Sequence, residues 1–407
     1  AQNYEDKCWQ TDEPRMEDKE VNTTKYYISQ QKFHAGSSDM GAGPQTEDCL
    51  ALNLWTSGLH DGRKRPVMVW LHGGGNVAGS ATANWHDGYN LAKKQDVVSI
   101  SIGHRVNVLG YLYLAGFRNE KYKDSVNMGH QDMVAALQWV HDNVEEFGGD
   151  PDNVTIFGQS GGAEKVVALL GMPSARGLFH KAIIQSGGFE IYPPEEGIKA
   201  AREFMEYLNI DEDHLDDLQK IPPENLIAAI RAINKTRTRG TYQRFPIIAD
   251  GKVVKFDPAD GAEGTELNKD VPIIIGNCKD DLRLFAVANP SYYKYTFEEL
   301  PGYIGKHGYT EAQAKKIIDV YTNILSGEPS AGDIYISFIT DQRFLEMKER
   351  WYRARAKVGC APMFSYVFCF EGPDPDLKAI HGVEVPFFFD NAIYAPGLWT
   401  VDTRVGA

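Results

Sequence analysis

Residues 154–162, Val-Thr-Ile-Phe-Gly-Gln-Ser-Gly-Gly, admit few backbone solutions. Val154–Phe157 is a β-branched and aromatic run of strand composition that stops at Gly158, and Ala163–Leu170 can continue as a helix. A strand that becomes a helix within so few residues must turn sharply. Side chains beside Ser160 would collide with the flanking elements, which is the mechanical reason for glycine at 158 and 162. The turn lifts the Ser160 hydroxyl clear of the backbone. A serine hydroxyl is a weak nucleophile until a base takes its proton, so Gly158-x-Ser160-x-Gly162 requires a histidine, a carboxylate to orient it and a pocket for an oxyanion. A chain with 39 glycines produces such a pattern by accident fairly often; the strand before it and the helix after it give it weight.

A second element lies upstream. Pro66–Leu71 is apolar on both faces, as a central parallel strand should be, and it ends in His72-Gly73-Gly74-Gly75. With no side chains past the histidine, backbone N–H groups there can approach a ligand closely. Read alone it is a flexible turn as readily as an oxyanion pocket; after a core strand and ahead of the serine turn, the pocket is the better reading.

The surroundings alternate. Leu50, Leu52 and Leu54 suit a half-buried strand, Tyr89–Lys94 a helix, and Asp96–Ile102 another buried strand. Met133, Ala136, Leu137, Val140, Val144 and Phe147 recur at helical spacing until Gly148-Gly149-Asp150-Pro151 ends the helix. Lys181–Ser186, Val271–Gly276 and Met363–Phe370 read as further strands, with helices near 311–326 and 341–356. Such alternation marks a mostly parallel sheet wound with crossover helices. Residues 1–46 are polar and without period, an irregular lead-in. Residues 190–245 are charged, helix-forming and interrupted by Pro193-Pro194 and Pro222-Pro223, a helical insertion that is either a lid or a plain excursion.

At 407 residues the chain exceeds a usual single core, but large α/β enzymes grow one sheet with insertions, so a single domain over 1–407 is expected. No apolar run approaches the roughly 20 residues that span a bilayer. A net charge of -14 without a basic stripe speaks against nucleic-acid partners. Five cysteines without C-x-x-C spacing speak against zinc or redox motifs, and no metal or cofactor is expected. The start Ala-Gln-Asn fits a removed signal peptide or a trimmed chain. Asn22-Thr-Thr, Asn153-Val-Thr and Asn234-Lys-Thr match the glycosylation acceptor pattern, Asn153 too close to a core strand to serve. The reading leans towards a secreted protein, with a cytoplasmic one as the alternative; oligomeric state is not legible.

Candidates for the acid and the base follow in chain order. Asp280 and Asp281 come after the strand at 271–276, and His381-Gly382 after the last strand. Of 11 histidines, His381 alone lies soon after a late strand and beside a glycine.

Glu47-Asp48-Cys49-Leu50, His72–Gly75, Phe147–Pro151, Asn153–Gly162, Leu178–Ala182, Gln185–Gly187 and His381–Pro386 together resemble the type-B carboxylesterase and cholinesterase family, strongly over roughly 44–190 and more thinly over 245–390. The resemblance implies an α/β-hydrolase fold and action on carboxylic esters without metal or organic cofactor. It makes Ser160 the nucleophile and His381 the general base, and it puts Asp281 where the family usually has glutamate. Gly74, Gly75 and Gly161 match its oxyanion donors. It also implies a disulfide at Cys49, with Cys8 as partner.

Several positions depart from the family. Asp281 is a methylene shorter than glutamate, which keeps Asp280 in competition. Gln159 replaces a glutamate and weakens the case for a cationic, cholinesterase-type substrate. Glu164 stands where small residues are common; it serves the helix dipole or lines the site, the dipole being favoured. The family's N-terminal hairpin has no counterpart and 26 residues follow His381, which fits a compact relative or omitted segments. The alternative from another class is a non-catalytic binding or adhesion module on the same fold.

Overall fold

The computed structural model describes residues 7–10, 45–117, 119–188, 191–236, 245–255, 265–288, 290–371 and 377–392. Seven strands form the main sheet: β1 Leu52–Trp55, β2 Arg65–Leu71, β3 Val98–Ile102, β4 Gly149–Gln159, β5 Lys181–Gln185, β6 Ile273–Cys278 and β7 Met363–Phe368. They lie in the order β7-β6-β5-β4-β2-β3-β1, with all neighbours parallel except the antiparallel β1–β3 pair at one edge. Among the described residues the helices of ten residues or more are α1 Met128–Asn143, α2 Gly161–Leu170, α3 Pro194–Tyr207, α4 Pro223–Thr236, α5 Glu311–Ile324 and α6 Ala331–Lys357.

The sheet is apolar on both faces. Val67, Val69 and Leu71 of β2 join Ile100, Ile102 and Ile156 in a core closed by Met133, Leu137 and Val140 of α1 and Val166 and Leu170 of α2. Trp70 points the other way, where it meets Phe157 of β4 at 5.0 Å between ring centroids and Phe389 at 5.2 Å. Each such side chain stabilises the fold by about 1.5–3 kcal/mol when fully buried. The second cluster also anchors the segment that follows His381, because Val385, Phe388 and Phe389 pack into it.

The parallel strands all present their carboxyl ends on one side, the side on which open α/β sheets place their ligands. His72–Gly75 follows β2, Ser160 follows β4, Ser186 follows β5, Asp281 follows β6, and His381 follows β7.

Two local expectations need correction. The helix expected over 341–356 begins at Ala331, because Ser330 accepts from the Asp333 N–H while the Asp333 carboxylate accepts from the Ser330 N–H, a reciprocal cap. The proline pairs at 193–194 and 222–223 do mark the breaks in the insertion: Pro194 and Pro223 are the first residues of α3 and α4, where a missing N–H is harmless. The disulfide implied for Cys8 and Cys49 is not formed. Both are buried free thiols beside Val106. Parallel pairing of Lys7–Cys8 with Gln45–Thr46 already holds this corner without a covalent link. The rest of the polar lead-in, with the Asn22 acceptor, lies outside the described residues.

The helices of the insertion join the main core through Phe204, Met205, Ile227 and Ile230. They rest on the segment between β3 and α1, where the Tyr122 hydroxyl donates to Asp216 at 2.6 Å and Arg202 covers the Phe117 ring at 5.7 Å.

Candidate active site

Ser160 sits at the tip of the β4–α2 turn with φ 58° and ψ -127°, a backbone region that an L-residue occupies only under strain, of order 1–3 kcal/mol. The turn is pinned on both sides, the Ser160 N–H donating to the Gln185 carbonyl at 2.9 Å and its carbonyl accepting from the Glu164 N–H at 3.1 Å. The need for glycine is steric, as expected. A Cβ on Gly162 would stand 2.0 Å from the Leu71 carbonyl oxygen, and one on Gly158 would stand 2.5 Å from the Gly162 carbonyl carbon. Strand β2, the turn and the first coil of α2 are therefore in backbone contact.

The glycine run after β2 closes over the same turn. Gly74 and Gly75 have φ of 86° and 61°, open to glycine and strained for other residues. Gly161 is packed so tightly on Gly75 that a Cβ added there would lie 2.3 Å from the Gly75 Cα. The N–H groups of Gly74, Gly75 and Gly161 have no hydrogen-bond partner among the described residues. Backbone donors without partners, gathered beside a serine, can hold a negatively charged oxygen.

Of the two aspartates after β6, Asp281 meets the histidine. His381 Nδ1 lies 2.5 Å from Asp281 Oδ1, and Asp281 is fully buried. Its other oxygen, Oδ2, accepts from the Ser186 hydroxyl at 2.6 Å and from the Cys278 N–H at 2.8 Å. The shorter side chain reaches because the loop after β6 turns tightly enough for residue 281 to cap its own strand. Asp280 instead pins the histidine loop: its N–H donates to the Ala379 carbonyl at 3.0 Å, and its carboxylate accepts from the Ala379 N–H at 3.4 Å.

The far nitrogen of His381, Nε2, is buried without a hydrogen-bond partner among the described residues, Ser160 included. Such bonds are often long in unliganded sites. Gly382 lies over the Gln159 side chain, within 3.5 Å of an ideal Cβ, which sets the His381 loop against the residue preceding Ser160. Phe285 covers the His381 ring at 5.4 Å between centroids and is 49% exposed, at the mouth of the site.

The electrostatics suit a base. Burial pushes the His381 pKa down, but the Asp281 charge and hydrogen bond, with Glu384 adding to them, raise it above the ordinary 6.5 against the opposing charge of Arg343. Glu384 is itself buried, accepting from the Cys278 thiol at 2.8 Å and from Ser186 at 3.4 Å, and its pKa is raised by burial and by the Asp281 charge. Sequence reasoning singled out neither Ser186 nor Glu384 as site residues. Their only signal was membership of Gln185-Ser186-Gly187 and His381-Gly382-Val383-Glu384, short stretches whose chemistry shows once β5 and β6 are adjacent. Glu164 occupies the first turn of α2 and faces Arg343 at 3.8 Å.

Among the described residues no group of three or more His, Cys, Asp or Glu side chains could hold a metal ion, and no helix is long and apolar enough to cross a membrane.

The sequence matches the Carboxylesterase family over residues 1–405. It is 34% identical over 353 residues to the para-nitrobenzyl esterase of Bacillus subtilis (strain 168), covering 85% of this chain and 68% of that protein. It is 32% identical over 357 residues to the phenmedipham hydrolase of Pseudarthrobacter oxydans, covering 86% of this chain and 68% of that protein. Among solved structures, the carboxylesterase EST55 of Geobacillus stearothermophilus superposes with a TM-score of 0.76 at 34% identity, covering 89% of this chain and 73% of that one.

Proposed function

This chain belongs to the carboxylesterase family, and from that premise we propose that it hydrolyses carboxylic esters through an acyl-serine formed on Ser160, with His381 as base and Asp281 as its orienting acid. The observation that carries the reading is the 2.5 Å contact of His381 Nδ1 with Asp281, which leaves Nε2 buried and without a partner among the described residues, on a loop whose Gly382 lies against the Gln159 side chain next to Ser160. His381 takes the Ser160 proton through Nε2 as the Oγ attacks the ester carbonyl. The carbonyl oxygen becomes an oxyanion held by the N–H groups of Gly74, Gly75 and Gly161, each such donor being worth on the order of 3 kcal/mol in the barrier. The intermediate collapses by breaking the bond to the alkoxy oxygen, which leaves with the proton from His381. Water, deprotonated by the same ring, then releases the acid and restores Ser160. Asp281 stays ionised throughout, fixing the ring and stabilising its charged form.

In this reading the 190–245 insertion belongs to the same single domain, its support being the apolar side chains it contributes to the common core. The test is incubation with p-nitrophenyl butyrate and with a fluorophosphonate probe, followed by mass spectrometry of the peptide bearing Ser160. Turnover with the label on Ser160 is expected. Neither turnover nor label would leave the binding-module reading in its place.

The pH dependence follows from the histidine. It accepts a proton only when neutral, and its pKa is raised above 6.5. kcat/KM for p-nitrophenyl butyrate is therefore expected to fall as the pH drops through an acid limb above pH 6.5. A pH–rate profile flat down to pH 5.5 would contradict His381 as the base.

A further inference from the structure

Helix α2 carries a group the mechanism does not use. Lys165 is completely buried, and its ammonium donates to the backbone carbonyl of His72 at 2.9 Å. Among the described residues no carboxylate lies within ion-pair reach of it. A buried ammonium with one neutral acceptor opposes folding, and an apolar side chain of the same length would fill the space without that penalty. The environment registers the strain, since burial pulls the Lys165 amine down to about 7 although the neighbouring Glu164 favours its charge. Three buried imidazoles share its field, at His72 after β2, His104 after β3 and His130 in α1, with each pKa driven down by burial and further by the lysine. The His72 and His104 rings stack at 4.3 Å.

The acceptor is what gives Lys165 its meaning. His72 is the last residue before Gly73–Gly75, and Lys165 stands on the helix that begins at Gly161. We propose that Lys165 is a positioning residue for oxyanion binding: its hydrogen bond to the His72 carbonyl locks the loop bearing Gly74 and Gly75 to the helix bearing Ser160 and Gly161. The inference rests on the reading above of those three N–H groups as the oxyanion donors. The glycine contacts of Gly161 and Gly162 with β2 and its loop keep the two backbones close, and van der Waals contact alone leaves them free to slide. A donor misplaced by about 1 Å loses most of its effect on the barrier.

The experiment compares the wild type with Lys165→Met, using p-nitrophenyl butyrate, an alkyl trifluoromethyl ketone that forms a tetrahedral oxyanion on the serine, and thermal unfolding. The expected result for Lys165→Met is a Tm equal to or above the wild type, a kcat lowered at least tenfold, a KM within about threefold, and a ketone Ki raised in proportion to the loss of kcat. Lys165→Gln, a shorter neutral donor, is expected between the two and serves in its place if Lys165→Met does not accumulate as folded protein. A wild-type enzyme that turns over ester beside a variant with unchanged kcat and ketone Ki overturns this inference alone. So does a loss of activity that tracks a fall in Tm without a selective loss of ketone affinity. A wild type inert to both ester and ketone overturns the esterase reading and this inference with it.

Discussion

Ser160→Ala is expected to lower kcat for an activated ester by about a millionfold and to abolish labelling by a fluorophosphonate, with Tm within a few degrees of the wild type. The size follows from the covalent route, because without the Oγ there is no acyl-enzyme, and only polarisation by the glycine N–H groups remains to help water attack. The fold has no reason to respond. Among the described residues the Ser160 side chain makes no hydrogen bond to the core, and alanine at φ 58° bears the same backbone strain as serine. Retained turnover in a pure Ser160→Ala preparation would remove the acyl-serine route and send the search to another nucleophile.

Asp281→Asn is expected to reduce kcat by about ten-thousandfold, whereas Asp280→Asn reduces it less than tenfold. The amide that replaces the Asp281 carboxylate can turn its NH2 towards His381 Nδ1, and a ring that accepts there carries its proton on Nε2, where it cannot take one from serine. Asp280 touches the reacting groups only through the loop. Its N–H bond to the Ala379 carbonyl is made by the backbone and survives the change, and an asparagine oxygen can still accept from the Ala379 N–H. Steady-state rates for both variants with one activated ester decide the matter. If Asp280→Asn proved the more damaging, the orienting acid would be reassigned.

Much of this arrangement was legible in the chain because it is local. The serine turn declares itself through glycine at 158 and 162, which the approach of the Leu71 carbonyl makes obligatory, and β2 through a run apolar on both faces. The choice between Asp280 and Asp281 was not legible, because adjacent aspartates differ only in which way the turn after β6 faces them. Ser186 and Glu384 were hidden for a related reason: they act on Asp281 across β5, β6 and the histidine loop, partners separated by roughly a hundred residues or more. The register of those strands, not any spacing in the sequence, puts them in contact. Nothing in the sequence set Lys165 apart within the helix-forming stretch Ala163–Leu170, because its complete burial comes from the packing of α2 against the sheet. The early start of α6 was missed because its cap, Ser330 with Asp333, uses aspartate where the usual signature has glutamate.

The seat of Phe389 and Phe388 on Trp70 and Phe157 ties the histidine to the deepest part of the sheet through aromatic stacking. During renaturation, the indole of Trp70 can be enclosed from one side by β-strand pairing well before residues far along the chain arrive to complete the enclosure. Contacts between distant parts of a chain form slowly. Recovery of ester turnover should therefore lag the first rise in tryptophan emission and coincide with its last phase, so that half-assembled molecules carry the serine turn without the base that activates it and leave bystander esters intact.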